Sequence, residues 1–262
     1  MGDANILYEI KNNIGYLTIN RPKFLNAVNK ELLIEIVDVL SQWKEDDNCR
    51  AVILTGAGDK SFSPGADINV FIDYSKKALG GREWSRYGQV AVQHIENLGK
   101  PSIAALNGMT MGGGLELALA CTFRIAAENI RLGLPEVGVG IMPGWGGTQR
   151  ITRIVGKTKA MELVLTGEPI SAEDALRIGL VSMVVPAGDL ILASERFLRR
   201  IIKNAPVAIK LAIEVINSAA DLPLSEGLAL ESNLAGILCT TEDGREGIQA
   251  FTEKRKPVFK GR

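Results

Sequence analysis

Histidine is almost absent from this chain. His94 is the only one among 262 residues, and it falls in a helical stretch beside apolar residues. A serine–histidine–aspartate mechanism would hang on that single side chain, so His94 is read as structural. Cysteine is scarce too: Cys49, Cys121 and Cys239 form an odd set without metal-ligand spacing. The count argues against a disulfide framework and fits free thiols in a reducing compartment, with Cys121 in an apolar run as core. No metal centre is expected. Neither sign of charge is in excess, with 30 Lys plus Arg against 30 Asp plus Glu. That balance argues against nucleic acid or an anionic membrane as the main partner. The local exception is Lys254-Arg255-Lys256 with Lys260 and Arg262, a basic patch or a solvated tail. Charges interrupt every apolar run before it is long enough to span a membrane. The start MGDANILYEI has no basic-then-apolar leader, and Ile6 stands where an N-myristoylation pattern wants Ser or Thr. The expectation is a soluble, cytoplasmic protein.

What is present suits a substantial core. Hydrophobic residues make up 46% of a chain long enough for one large domain or two modest ones. ILYEI (6–10) and YLTIN (16–20) flank a polar turn and read as a hairpin. Residues 29–45 carry a helical stripe of Leu32, Leu33, Ile36, Val37 and Leu40. AVILT (51–55) and PSIAALN (101–107) read as buried strands, FRIAA (123–127) as another, and 82–98 and LELALA (115–120) as helices. Alternating strands and helices imply an α/β architecture. TQRITRIV and KAMELVLT continue as helices, Ser171 and Asp174 open a capped one, and VSMVV (181–185) is a last strand. From Asp189 onward the pattern is helical, broken at Pro206, Pro223 and Thr240-Thr241. The division is an α/β core over 1–190 and a helical region over 191–262.

Two glutamates stand twenty residues apart beside glycine-rich turns: Glu116 in GMTMGGGLELALAC (108–121) and Glu136 in LGLPEVGVGIMPGWGGTQR (132–150). A pair of carboxyl groups can act as acid and base on one substrate. Gly112-Gly113-Gly114 runs straight into a helix, whose first N–H groups lack partners and favour negative charge. Proton transfer beside a polarised carbonyl is the chemistry this suggests. The glycines do not spell a phosphate or dinucleotide fingerprint, since neither G-x-x-x-x-G-K-[ST] nor G-x-G-x-x-G occurs there. Structural alternatives are tight helix packing for the glycines, a carboxylate bound to helix N–H groups for Glu116 and a surface loop residue for Glu136.

The runs IAALNGMTMGGGLELALAC and GLPEVGVGIMPGWGGTQR resemble the enoyl-CoA hydratase (crotonase) family. So do NRPKFLNAVN (20–29), FSPGADI (62–68), LTGEPISAEDALRIGLVSMVV (165–185) and EGIQAFTEKRKPVFKG (246–261), in order along nearly the whole chain. The resemblance implies a spiral of ββα repeats, with C-terminal helices that build trimers, commonly paired into hexamers. It implies reversible syn hydration of a 2-enoyl-CoA thioester, as in fatty-acid β-oxidation. Coenzyme A would be part of the substrate, and no cofactor is implied.

By similarity, the backbone N–H groups of Ala66 and Gly113 form the oxyanion hole, Glu116 takes a proton from water and Glu136 protonates C2. The two titrations are coupled, so this division is a choice of microstates. Coenzyme A would run past Lys23, Phe24, Leu25 and Ala27 and past Gly65, Ala66 and Asp67. Phe251 and Lys254 would meet its nucleotide end, often from another subunit; the alternative for Lys23 and Lys254 is a pair of solvated lysines. The stretch 70–98 and Trp145 would bound the acyl pocket, with Phe71, Trp84 and Tyr87 as walls and Gly80-Gly81 as a hinge. Two departures stand out: Thr122 where the family often has an acid, and Pro64 where a small residue is common. The alternatives are an enoyl-CoA double-bond isomerase, which needs one carboxylate, a hydratase of cyclic or branched acyl-CoA, and a noncatalytic acyl-CoA- or RNA-binding protein. Fold alone does not choose among them.

Overall fold

The structure, a computed structural model, describes residues 4–262; the leader and lipidation readings involving Met1, Gly2 and Asp3 lie outside the described residues. Strands β1 (Ile6–Lys11) and β2 (Ile14–Ile19) form the expected antiparallel hairpin. Asn12 and Asn13 turn it at φ 52° and 64°, the left-handed conformation that asparagine tolerates. Helix α1 (Lys30–Glu45) is capped by Asn29, whose side chain accepts from Leu32 N–H at 2.9 Å. Its buried face carries Leu32, Leu33, Ile36, Val39, Leu40 and Trp43.

Three units of strand, strand and helix follow. The first is β3 (Ala51–Gly56), β4 (Ser61–Ser63), α2 (Ile68–Ser75) and α3 (Gly80–Glu96). The second is β5 (Ser102–Leu106), β6 (Met109–Met111) and α4 (Gly113–Ala120). The third is β7 (Phe123–Ala127), β8 (Arg131–Gly133) and α5 (Gly147–Val155). The chain continues through α6 (Lys157–Thr166), β9 (Ile170–Ser171), α7 (Ala172–Arg177) and β10 (Met183–Val185). Helices α8 (Leu190–Ile202), α9 (Pro206–Ser218), α10 (Leu224–Thr240) and α11 (Glu242–Thr252) complete it.

The first strand of each unit enters a six-stranded sheet, β1-β2-β3-β5-β7-β10, parallel apart from β1. The second strands form another sheet, β4-β6-β8-β9, with β9 antiparallel at its edge. This is the α/β spiral of ββα turns, with C-terminal helices following it. β3 and β5 are almost wholly buried, so their sequences run apolar without alternation. All eight residues of α4 are buried, and the helix packs on strands of both sheets. Thr122 and Ser102 exchange backbone-to-hydroxyl hydrogen bonds of 3.0 and 3.1 Å at the ends of β7 and β5.

One detail differs from the sequence reading. The strand expected over 181–185 is only Met183–Val185, because Val181 still donates to Ala175 O at the end of α7. Helix α8, the first of the C-terminal region, packs on β3, β5 and β7 through buried Leu190, Ser194 and Leu198. Helices α9 and α10 bury no residue within the chain. No helix among the described residues is long and apolar enough to cross a membrane.

Candidate active site

Glu116 occupies the first turn of α4 and is 2% exposed. Its Oε1 accepts two hydrogen bonds of 2.7 Å, from Trp145 N–H and Gly147 N–H. Burial pushes its carboxyl up to about 7; Gly147 and Trp145 N–H and the Arg150 charge oppose that rise, and the Glu136 charge adds to it. Glu136 opens a 3-10 turn (Glu136–Val139) and is partly buried. Its Oε2 is closed off from solvent and meets no hydrogen-bond partner among the described residues. Burial raises its carboxyl as well. The two groups thus differ in kind. Glu116 has donors that hold a negative charge; Glu136 has an oxygen that favours the neutral acid.

The turn before α4 places both. Gly112 adopts φ 51° and ψ −127°, a backbone that L side chains rarely enter. A Cβ there would stand 3.2 Å from Glu136 Oε1, so the second carboxyl leans over this turn. Gly113 is the first helical residue, and its N–H has no acceptor within the helix. Against it lies the Pro64–Asp67 segment: a Cβ on Gly65, at φ +103°, would approach Gly113 N to 3.0 Å. Val28 bridges Ala66 in parallel fashion, donating to Gly65 O and accepting from Asp67 N–H, each at 2.8 Å. That pattern turns the Ala66 N–H away from Val28. Among the described residues, neither the Ala66 nor the Gly113 N–H donates to a protein acceptor. Two adjacent unpaired donors beside two carboxyl groups can hold an oxygen that gains charge while protons move.

Trp145 lies under Gly113. A Cβ on Gly113 would meet its indole at 2.4 Å, and one on Gly88 of α3 would meet it at 2.1 Å. Its edge packs on Trp84 at 5.5 Å between ring centroids, and both indoles are 3% exposed. Trp84 thus packs between Trp145 and Tyr74, whose ring centroid lies 5.4 Å away. Phe71 on α2 is partly buried against the core. Tyr87 faces elsewhere, toward an apolar recess of about 410 Å³ between α1 and α3, with the Lys30 ammonium over its ring. A larger polar cleft, about 720 Å³, opens between α3, α5 and α9. Trp145 and Gly146 line it but neither glutamate does, because the 144–147 turn stands between.

The residues expected along coenzyme A fall into two groups. Lys23, Phe24 and Leu25 are exposed on a 3-10 turn (Pro22–Phe24), and Ala27 is partly buried. They are brought to Gly65, Ala66 and Asp67 by the Val28 bridge and by Arg21, which pairs with Asp67 at 3.2 Å and lies 4.7 Å over the Phe24 ring. Phe251, 85% exposed, and Lys254 stand instead on the peripheral helices, at and just beyond the end of α11. His94 Nδ1 lies 2.8 Å from Val90 O within its own helix, outside this constellation.

Sequence reasoning passed over Arg21 and Asn26. Asn26 is buried, adopts φ 65° and donates to Ala57 O and Ser61 O. Its signal was an asparagine between two hydrophobic residues in a turn, which periodicity does not register. It also passed over Arg150, which pairs with Glu96, because no spacing rule links residues 54 positions apart.

Residues 9–262 match the family model described as enoyl-CoA hydratase/isomerase. The chain is 44% identical over 252 residues to the short-chain-enoyl-CoA hydratase of Clostridium acetobutylicum, covering 96% of each. It is 42% identical to the crotonyl-CoA hydratase of Syntrophomonas wolfei, covering 99% of each. A crystal structure of enoyl-CoA hydratase from Bacillus anthracis superposes with a TM-score of 0.93 at 40% identity, over 99% of this chain and 100% of that one.

Proposed function

The chain belongs to the enoyl-CoA hydratase/isomerase family, and from that premise we propose that it is an enoyl-CoA hydratase working through Glu116, Glu136 and the N–H groups of Ala66 and Gly113. It adds water across the 2,3-double bond of an enoyl-CoA thioester and runs the reverse dehydration with the same groups. The observation that carries the site assignment is the contrast between the carboxyls: Glu116 Oε1 holds two N–H donors, and Glu136 Oε2 holds none.

The thioester oxygen accepts from Ala66 and Gly113 N–H. Ionised Glu116 takes a proton from water as its oxygen bonds C3. The displaced electron pair moves onto the thioester oxygen as an enolate. That enolate collapses as neutral Glu136 delivers its proton to C2, and exchange with solvent restores the pair. One oxyanion donor is worth roughly 2.7–4 kcal/mol in such a transition state. Coenzyme A belongs to the substrate, and the reaction calls for no resident cofactor.

The relatives' names speak of short-chain and crotonyl substrates. An indole filling the space beneath Gly113 supports a short acyl chain here too. Lys23, Phe24, Leu25, Ala27, Gly65 and Asp67 would flank the coenzyme, with Phe251 and Lys254 contributed by a neighbour in a trimer or a dimer of trimers. A cytoplasmic setting is supported by three free thiols, Cys49, Cys121 and Cys239.

The test follows loss of the conjugated enoyl-thioester absorbance with crotonyl-CoA. Wild type is expected to hydrate it fast, and Glu116→Gln and Glu136→Gln each to lose about 10²–10⁴-fold in kcat. A folded, CoA-binding wild type that does not hydrate would sink the reading. Double-bond migration retained in Glu116→Gln would replace it with the isomerase.

A further inference from the structure

Glu116 is held from behind. Its two donors, Trp145 N–H and Gly147 N–H, flank the peptide that joins Trp145 to Gly146. The carbonyl of that peptide points the other way, and Arg150 Nη1 donates to it at 3.2 Å. The same guanidinium grips Glu96, at the last turn of α3, through Nε at 3.2 Å and Nη2 at 2.6 Å. Arg150 N–H in turn donates to Gly146 O at 2.9 Å, closing the first turn of α5 over the loop. Gly146 sits at φ +108°, and a Cβ on it would meet Arg150 Nη1 at 2.0 Å, so the side chain lies directly against this backbone.

The guanidinium is 14% exposed and its carboxylate partner 34%. A forked pair of this kind fixes both position and plane, where a lone ammonium fixes only position. The pair also lines the 720 Å³ cleft together with Trp145 and Gly146, while Glu116 and Glu136 do not line it.

We propose that Arg150, braced by Glu96, is a positioning residue for Glu116: by pinning the Trp145 carbonyl it keeps the Trp145 and Gly147 N–H groups trained on the carboxylate. The inference rests on Glu116 being the base that takes the proton from water. Arg150 touches no reacting atom. It acts through the turn, and as a positive charge that opposes the rise of a carboxyl that also feels Glu136. The charged groups around Glu116 are thus Glu136 on the 3-10 turn, Arg150 on α5 and, paired with it, Glu96 on α3. Loss of Arg150 removes a charge that favours ionised Glu116 and loosens the two donors, so Glu116 holds its proton to higher pH.

The experiment is the pH dependence of crotonyl-CoA hydration for Arg150→Met, Arg150→Lys and Glu96→Gln, beside wild type. In Arg150→Met, kcat is expected to fall about tenfold to a hundredfold with KM changed less than threefold, because misplacing a catalytic group costs turnover rather than binding. The acid limb of the kcat/KM profile is expected to move to higher pH. Arg150→Lys restores a charge without the fork: it should return the limb toward wild type and leave kcat low. Glu96→Gln keeps Arg150 in reach of the carbonyl but slackens it, and should lose a few-fold in kcat. A wild-type acid limb and kcat in Arg150→Met would overturn the proposal. A lower melting temperature with the limb unmoved would overturn it too, in favour of a purely structural pair. If Arg150→Met does not fold, Glu96→Gln decides, and wild-type kcat there overturns the proposal. Hydration retained in Glu116→Gln would instead remove the general-base reading beneath it, and that variant is measured separately.

Discussion

Glu116 carries a cost that its neighbours only partly offset. Burial lifts its carboxyl from the ordinary 4.5 to about 7 in the folded chain, while the unfolded chain keeps the ordinary value. Below pH 4.5 both states are protonated, and the residue contributes nothing to the balance. Between 4.5 and about 7 the unfolded state ionises first, which draws the equilibrium toward unfolding. Above about 7 the cost is complete, on the order of 3 kcal/mol for a shift of that size. Glu116→Gln cannot ionise and retains an oxygen for the Trp145 and Gly147 N–H groups. It is expected to be inactive yet more stable than wild type by about 2–3 kcal/mol at pH 8–9, with the gain fading toward pH 4.5. Urea unfolding at matched protein concentration across that range measures it. A gain that does not vary with pH would mean that something other than this titration is responsible.

Between elements, the junction of α3, α4 and α5 decides how well the site is formed. The Trp145 indole is clasped by two glycines on different helices, Gly88 of α3 and Gly113 of α4. The backbone N–H of the same residue is one of the two donors on Glu116. Packing and catalysis share one residue there. Gly88→Ala places a methyl about where the indole stands, and overpacking of this kind costs about 1–3 kcal/mol. The variant is expected to lose stability by that amount and to lose hydration with it. Trp145→Phe in the same chain should relieve most of the stability loss, a coupling that a double-mutant cycle on melting temperatures measures. Additive effects would show that the helices do not meet through the indole.

This junction also marks where the sequence stops being legible. Short apolar runs give away β3 and β5, and Ser171 marks a helix start whose cap is present. The strands β4, β6, β8 and β9 have three residues or fewer, too short for any periodicity, and exist because their neighbours pair with them. Glu116 and Glu136 drew notice because glycine turns flank them, Ala66 and Gly113 only through the family resemblance, and the fold brings their segments against one another. The burial of Trp84 and Trp145 was not, since an indole in a variable stretch reads equally as pocket wall or as core. The Arg150–Glu96 brace was hidden for another reason: only the folded chain brings the end of α3 to the start of α5.

At the scale of the molecule, the C-terminal helices are unfinished as a single chain. α9 and α10 bury no residue, and α10 leaves Leu224, Leu228 and Ile237 more than half exposed. Helix faces this apolar are covered in most folded proteins. A second copy of this chain would cover them, because Phe251 and Lys254, expected at the nucleotide end of coenzyme A, lie on this same peripheral layer. A head-to-tail ring would carry each tail to the next copy's coenzyme groove and close after three. Sedimentation equilibrium is expected to give a trimer or a multiple of it. Leu228→Glu with Ile237→Glu is expected to release monomers, since a carboxylate in an apolar interface leaves a charge unpaired. If the neighbour supplies part of the coenzyme groove, those monomers keep Glu116 and Glu136 but show a KM for crotonyl-CoA raised about tenfold or more, as when remote binding contacts are lost. Monomers with an unchanged KM would place the coenzyme wholly on one chain and leave Phe251 and Lys254 without a role in holding it.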